Sequence, residues 1–505
     1  MATPHEKLAE SLRVLKALQE RGLRVFPTRS LPRIHRERLI KNGFLTEVLK
    51  GWYIAARPGD HSGDSTAWYA TFYDFIAAYC TNRFGNDWYL SPEGSLLYHV
   101  GSTTTPGQAL IHAKEGGNNT IHLPFGTSLL DYHARDFAPS TSVIMRDGLR
   151  LLTVPHALIR VSPQFFLRYP METKIALSLV LDVADIAEPL LEGGHSTVAG
   201  RIAGALRALG RRDEADQLLR AMRMGHSVQE VNPFAEQTPN VLFVRSASPY
   251  VARIRLMWET LRSPIIPHIP SAPGLPINQE AYLQDLTDRH VADAYHSLSI
   301  EGYQVSEKLI ARIASGNWSP DSSEQDQHDR NALAAHGYHL AFLSVRASIA
   351  RTITGMNAGE VARRDHRDWY RLLFEPMVRA GVIEARHLAG YRSAPVFIRN
   401  SRHVPPPVDA VRDTMPVFFD LLAQEPDAGV RAVLGHFIFV YLHPYMDGNG
   451  RIGRFLLNVM LSSGGYPWTI IPIEKRAAYM ETLEEASVGG TILPFARFIA
   501  TCMRH

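Results

Sequence analysis

His443-Pro444-Tyr445-Met446-Asp447-Gly448-Asn449-Gly450-Arg451-Ile452-Gly453-Arg454 packs an imidazole, a carboxylate, an amide, two guanidiniums and three glycines into twelve residues. Apolar helical patterns flank it. Upstream, Asp427 has the chemistry of a helix N-cap, and Val430, Val433, Leu434, Phe437, Ile438, Tyr441 and Leu442 follow at helical spacing. Downstream, Ile452, Phe455, Leu456, Val459 and Met460 share one face of a second helix. Glycines just ahead of a helix let the backbone approach an anion, and the unpaired N–H groups there attract phosphate. Arg451 and Arg454, three apart, share a face rotated away from the apolar stripe and can hold a polyphosphate chain. Asp447 can give one oxygen to Mg²⁺, which keeps water and phosphate as its other ligands. A neutral imidazole at His443 suits removal of a proton from a hydroxyl. A lone histidine or a lone Gly-Asn-Gly would read as a surface turn; the combination argues against that.

Around this stretch, 505 residues exceed one ordinary core and suggest several domains. Apolar residues make up 45% and charged residues 20%, the proportions of a globular chain rather than a disordered one. The longest apolar stretch, Val433 to Leu442, is broken by His436 and is too short for a bilayer, so no membrane segment is expected. Two cysteines, Cys80 and Cys502, cannot build a disulfide framework, which fits a reducing cytoplasm. The net charge of +3 is too small for this length to argue for a nucleic-acid partner, so such a claim rests on local charge.

The patterns predict a multidomain, mainly α chain: a winged-helix-like region over 1–60, a mixed α/β region over 61–230, a Pro/Ser-rich linker over 231–277 and a helical domain over 278–505. In the linker Pro264, Pro267, Pro270, Pro273 and Pro276 are spaced too closely for regular helix or inner strand.

The twelve-residue stretch resembles the signature of the Fic family, HPFxxGNGRxxR, with Tyr445 in place of the usual Phe. The resemblance runs over roughly Asn278 to Ala500 and includes Gly390-Tyr391-Arg392 to Pro407 and Tyr466-Pro467 to Tyr479. It implies an all-α Fic fold with a β-hairpin flap, and an enzyme that transfers AMP from ATP to a Ser, Thr or Tyr hydroxyl of a protein, the chain itself included. His443 would be the general base, and Asp447 would hold Mg²⁺. Gly448, Asn449 and Gly450 would hold the α- and β-phosphates, Arg451 would add charge at the β-phosphate, and Arg454 would reach the γ-phosphate. The kinase-like branch of the family has Lys where this chain has Gly450. Val396-Phe397-Ile398 matches the flap that clamps a target by strand addition, although the same residues suit an ordinary core strand. Arg476 and Tyr479 match the segment near the adenine, and Tyr479 is also compatible with the core.

Ser297-Leu298-Ser299-Ile300-Glu301-Gly302 forms a second pattern, S-x-x-x-E-G, ahead of that domain. Alone it means little. Beside the Fic resemblance it implies an inhibitory helix from about Gln279 to Ile300, with Glu301 paired to Arg454 in the place of the γ-phosphate. In some relatives the equivalent Glu also orients water to remove AMP.

Between Arg21 and Arg57 nine basic residues face only Glu37 and Glu47, a local surplus of the kind that phosphate-backbone binding needs. Arg33, Arg36 and Lys41 fall in an expected second helix, and Lys50-Gly51-Trp52 at an expected wing tip. The segment through Tyr53, and more faintly to about Leu158, resembles AbiEi-type antitoxins and related regulators. It implies a double-stranded DNA partner; a winged helix used for protein contact is the other reading. A homodimer is also compatible with the sequence. The competing account of the whole chain is a DNA-binding regulator, or antitoxin-like protein, whose Fic domain senses nucleotide.

Overall fold

In the computed structural model, residues 3–58, 64–224, 227–234, 248–318 and 329–504 are described. They divide into two compact units: Met1–Pro249 together with Phe397–Val404, and Tyr250–Val396 together with Pro405–His505.

The first unit opens with α1 (Pro4–Glu20), started by a capping box in which Thr3 and Glu6 exchange side-chain-to-backbone bonds of 2.7 and 3.2 Å. After β1 (Val25–Pro27) come α2 (Arg33–Lys41), β2 (Leu45–Leu49) and β3 (Trp52–Ala55). The strands form an antiparallel sheet in the order β1-β3-β2, and Gly51, at φ 82°, makes the β2–β3 turn. Leu15, Phe26, Leu31, Leu39, Leu45 and Tyr53 close its core. Next come α3 (Thr66–Phe84), β4 (Trp88–Leu90), α4 (Pro92–His99), β5 (Gln108–Ala113), β6 (Asn119–His122), β7 (Ser128–His133), β8 (Val143–Arg146) and β9 (Leu149–Leu152). Strands β4-β5-β7-β6 make a sheet with one parallel pair, β5–β7, and β8 pairs with β9. Trp52 packs edge-on against Phe75 of α3 at 5.8 Å, so this tryptophan belongs to the core and only Lys50-Gly51 form the turn tip. Six helices end this part: α5 (Val154–Arg160), α6 (Pro163–Arg168), α7 (Pro170–Leu179), α8 (Ala184–Glu192), α9 (Ser196–Ala208) and α10 (Arg212–Arg223).

The second unit is helical. It starts with α11 (Pro249–Ile265), inside the stretch expected to be irregular linker. Proline is excluded only from helix interiors, and here Pro249 opens the first turn while Pro264 falls in the last. Leu256, Trp258 and Leu261 are buried, and Arg262 grips Glu425 with two bonds of 2.9 and 3.0 Å. Residues 235–247 of the expected linker lie outside the described residues. Then follow α12 (Gln279–Ile300), α13 (Glu307–Ala314), α14 (Arg330–Thr352), α15 (Ala358–Arg379), α16 (Val408–Gln424), α17 (Ala428–Leu442), α18 (Asn449–Ser462), α19 (Arg476–Glu484) and α20 (Leu493–Cys502). Asp427 caps α17 by accepting from Val430 N at 2.9 Å, as its position predicts. Val433, Leu434, Phe437 and Ile438 are fully buried, which makes α17 the axis of this unit.

The expected flap hairpin takes another form. Val396–Ile398 belongs to no strand, and a turn follows at Arg399-Asn400. The return segment pairs inside the first unit: Val404 N donates to Thr103 O at 2.6 Å, Thr105 N donates to Arg402 O at 2.9 Å, and Arg399 meets Asp64 at 3.1 Å. A partner almost 300 residues away, rather than the adjacent segment, supplies the backbone bonds.

Candidate active site

The loop between α17 and α18 is shaped by its own residues. His443 ends α17 in the left-handed region at φ 50°, and Gly448, at φ 77°, stands just before α18. A Cβ at Gly448 would lie 2.8 Å from the Phe374 ring, so both conformation and space call for glycine. Asn449 is buried and ties the loop across itself, donating to Tyr445 O and accepting from Tyr445 N, each at 2.9 Å. One amide N–H is thereby committed to the backbone, and the second is left over. Tyr445 is a core anchor, stacked on Tyr370 with centroids 3.8 Å apart.

His443 is partly buried. Its Nδ1 lies 3.0 Å from Val440 O, and a carbonyl can only accept, so Nδ1 carries the proton and Nε2 keeps its lone pair. Burial pushes this imidazole below its usual value, and the Arg392 charge adds to that, so the ring is neutral at neutral pH. Arg392 was quoted only as part of a matching stretch, yet it organises the loop. It is buried, donates through Nε to His443 O at 2.8 Å and also to the Pro406 carbonyl, and its own N–H reaches Pro444 O at 2.8 Å. Burial lowers its guanidinium to about 10.

Both signature arginines are buried. Arg454 donates through Nε to Ser297 Oγ (2.8 Å) and through Nη2 to Ser297 O (3.0 Å) and Glu301 Oε1 (2.7 Å). Burial would raise the Glu301 carboxyl, but Arg454 and then Arg451 outweigh it and hold it below its usual range. Glu301 stands over the start of α18, its Oε1 only 2.4 Å from where a Cβ on Gly450 would be. The last turn of α12 explains this placement. Gly302 N donates to Ser299 O and Tyr303 N to Leu298 O, at 3.0 and 3.1 Å, and Gly302 sits at φ 89°. That is a Schellman end, which fixes the direction of Glu301 and requires glycine after it.

Arg451 lies against the rings of Tyr303 and Phe374, at 5.1 and 5.0 Å, with Asp447 Oδ1 3.6 Å from Nη2. Its Nε and Nη1 have no hydrogen-bond partner among the described residues. Asp447 is exposed and accepts from Gly448 N at 2.6 Å. Among the described residues no three His, Cys, Asp or Glu converge here, and Asp447 is the carboxylate of the loop itself. One hard oxygen beside a phosphate-binding loop suits Mg²⁺. A cavity of about 290 Å³ is bounded by Glu301, Tyr303, Arg330, Asp447 and Arg451.

Residues 362–461 match the Fic/DOC family. This stretch is a Fic domain. Two relatives named "Protein adenylyltransferase Fic" are alike over a longer stretch. That of Drosophila willistoni is 30% identical over 228 residues, 44% of this chain and 40% of that protein. That of Drosophila melanogaster is 29% identical over 228 residues, 44% and 41% of the two chains. The chain thus spans about two fifths of the length of these relatives. Among solved structures, C. elegans Fic-1 aligns at a TM-score of 0.36 with 20% identity, covering 69% of this chain and 88% of that one. A Fic domain containing signaling protein from Bacteroides thetaiotaomicron aligns at 0.35 with 17% identity, covering 50% and 92%.

The second unit brings His443, Asp447, Gly448, Gly450, Arg451 and Arg454 together with Ser297, Glu301 and Gly302. Tyr479 borders this group, its hydroxyl beside the Arg454 guanidinium. It is 1% exposed and bonds His436 Nε2 at 2.8 Å through its hydroxyl, so it is a core residue at the edge of the site. Arg476 donates to Ile300 O at 2.8 Å and so holds the end of α12. In the first unit, Arg36 donates through Nη1 to the carbonyls of Thr28 and Leu31, both at 3.2 Å, and rests over Tyr53. Arg33 pairs with Glu37 at 2.6 Å, and Lys41 and Lys50 are exposed. No helix among the described residues is long and apolar enough to cross a membrane.

Proposed function

We propose that the Fic domain transfers AMP from ATP to a hydroxyl of a protein target, and that Glu301 restrains it. In the step, His443 Nε2 takes the proton of a Ser, Thr or Tyr hydroxyl. The freed oxygen attacks the α-phosphorus, the α–β P–O bond breaks, pyrophosphate leaves, and AMP stays on the target as a phosphodiester. The observation that carries this reading is the fixed tautomer of His443: Nδ1 is committed to Val440 O, which leaves Nε2 basic beside the glycine-led start of α18 and two buried arginines. The backbone N–H groups at the Gly448-Asn449-Gly450 start of α18 and Arg451 favour a polyphosphate. Mg²⁺, held by Asp447, would supply charge neutralisation at the phosphates. The names of the Drosophila relatives, protein adenylyltransferases, support the same chemistry.

Glu301 accepts from Arg454 Nη2, so a terminal phosphate must compete with it for that guanidinium while the pair is closed. The test is incubation of Glu301→Gly and Glu301→Gly/His443→Ala proteins with each nucleoside triphosphate, the adduct and its residue being read by mass spectrometry. An AMP adduct on the first and none on the second is expected; no adduct with any triphosphate refutes the reading. AMP released from a modified target in the absence of ATP would assign removal of AMP to the same site.

A second role follows from the exposed Arg33, Lys41 and Lys50 around the β1-β3-β2 sheet, which suit a phosphate backbone. A salt-dependent shift of duplex DNA by the full chain supports it; no binding at low salt ends it.

A further inference from the structure

Arg451 is a buried cation with no adequate partner. It is 1% exposed, its nearest carboxylate is 3.6 Å away, and two of its donors, Nε and Nη1, are unbonded among the described residues. Buried donors left open in this way call for an anionic ligand. What the protein does provide is two aromatic faces: Phe374 of α15 and Tyr303, two residues past Glu301. A guanidinium resting on rings is held by its face, which leaves the in-plane N–H groups at its edge for a ligand. That edge borders the 290 Å³ cavity, which Tyr303 and Asp447 also line.

We propose that Tyr303 is a positioning residue for Arg451, fixing the plane in which this guanidinium meets the second phosphate of a nucleoside di- or triphosphate. The proposal rests on the reading above that the site takes ATP. Tyr303 touches no phosphate itself; it acts through Arg451. Its place is set by the Schellman end of α12, where its N–H bonds Leu298 O at 3.1 Å across Gly302. One helix end therefore controls both arginines: Glu301 holds Arg454 by an ion pair, and Tyr303 holds Arg451 by a ring face. A site specificity follows. Whatever depends on Tyr303 should separate nucleotides that carry a β-phosphate from those that do not.

The experiment uses the full chain carrying Glu301→Gly, to open the γ-phosphate place, and His443→Ala, to stop turnover. Into this parent go Tyr303→Leu, which keeps bulk without the ring, and Tyr303→Phe, which keeps the ring without the hydroxyl. AMP, ADP and ATP binding with Mg²⁺ is measured by calorimetry. The leucine variant is expected to bind ADP and ATP about three- to tenfold more weakly, the range of a partly desolvated cation–π contact. Its AMP affinity should equal that of the parent, which also reports an intact fold, and the phenylalanine variant should match the parent for all three. Parallel loss of AMP, ADP and ATP in Tyr303→Leu, or unchanged ADP binding, overturns the proposal alone. A parent that binds neither ADP nor ATP overturns it together with the reading it rests on.

Discussion

Replacing Glu301 by glycine should raise transfer activity by about fifty- to a hundredfold, and the geometry sets that scale. The latch is a single charge-assisted bond of 2.7 Å between side chains 26% and 5% exposed. Such a bond contributes about 1.5–3 kcal/mol net, while stripping one partner from a buried pair costs about 3–5 kcal/mol. Keeping a two-state site about 99% idle takes about 2.7 kcal/mol, within reach of this one pair. Losing it frees nearly the whole population, hence the factor. The Ser297 bonds to Arg454 survive the change and keep the guanidinium in place for a phosphate. The deletion also leaves Arg454 buried without a counter-charge, so the variant should melt lower than the parent and gain more from ATP. The assay is transfer from labelled ATP, with Glu301→Gly/His443→Ala as the blank and thermal melting with and without Mg-ATP beside it. Because the Glu301 carboxyl is depressed, the latch is complete above the usual carboxylate range and weakens only as pH falls through the lowered value. It should therefore be constant from about pH 6 to about pH 9. Equal transfer in Glu301→Gly and parent, or equal stabilisation by ATP, would refute the reasoning.

Four further outcomes are expected. Tyr445→Phe removes a buried hydroxyl that has no hydrogen-bond partner among the described residues, and should stabilise the chain by about 1 kcal/mol in urea melts; a loss of stability would mean the hydroxyl is satisfied. Gly302→Ala forces a Cβ into φ 89° with open space around it, a purely conformational cost of about 1–2 kcal/mol. It should loosen the end of α12 and raise basal transfer about five- to thirtyfold, and unchanged transfer would separate the helix end from the latch. In the Glu301→Gly protein, the acid limb of kcat/KM should fall below the usual imidazole value, because burial lowers His443 and the neutral base acts above its own pKa; a limb above that value would exclude His443 as base. Hydrogen exchange along Gln279–Leu298 should be alike in parent and Glu301→Gly proteins; general loss of protection would mean the whole helix releases.

The parts of this site that were legible in the sequence are those set by local geometry. The limits of α12 and the Glu301–Arg454 pair are anticipated only through the resemblance to the Fic family; the local part is the helix end, with glycine where the chain must turn left-handed. The start of α18 after Gly448 follows from the same logic. What escaped depends on partners far along the chain. Tyr479 is core because His436, 43 positions earlier, meets its hydroxyl. Arg392 looks like any loop arginine until its donors are seen to close on His443 and Pro406. The flap return segment pairs with Thr103–Thr105, a register that no local pattern carries. Asn449 is a local feature: an amide four residues after Tyr445, at a loop-to-helix junction, is well placed to tie that loop. Nor does proline spacing by itself forbid a helix; α11 survives because its prolines fall in its first and last turns.

The same geometry limits how the restraint can be lifted. Leu286, Leu298 and Ile300 of α12 are essentially unexposed, and burying each is worth about 1.5–3 kcal/mol. Asp293 bonds Tyr338 at 2.6 Å, Ile473 N bonds His296 Nδ1 at 3.2 Å, and Arg476 holds Ile300 O. Undocking the helix would forfeit all of these, well beyond the about 2.7 kcal/mol that an efficient brake requires. Rotation of Glu301 breaks one ion pair and leaves the rest intact. The economical switch is therefore a movement of this side chain and the turn that carries it, on a helix that stays in place. Tyr303 lies on that same turn, so a change that frees Arg454 also reaches Arg451.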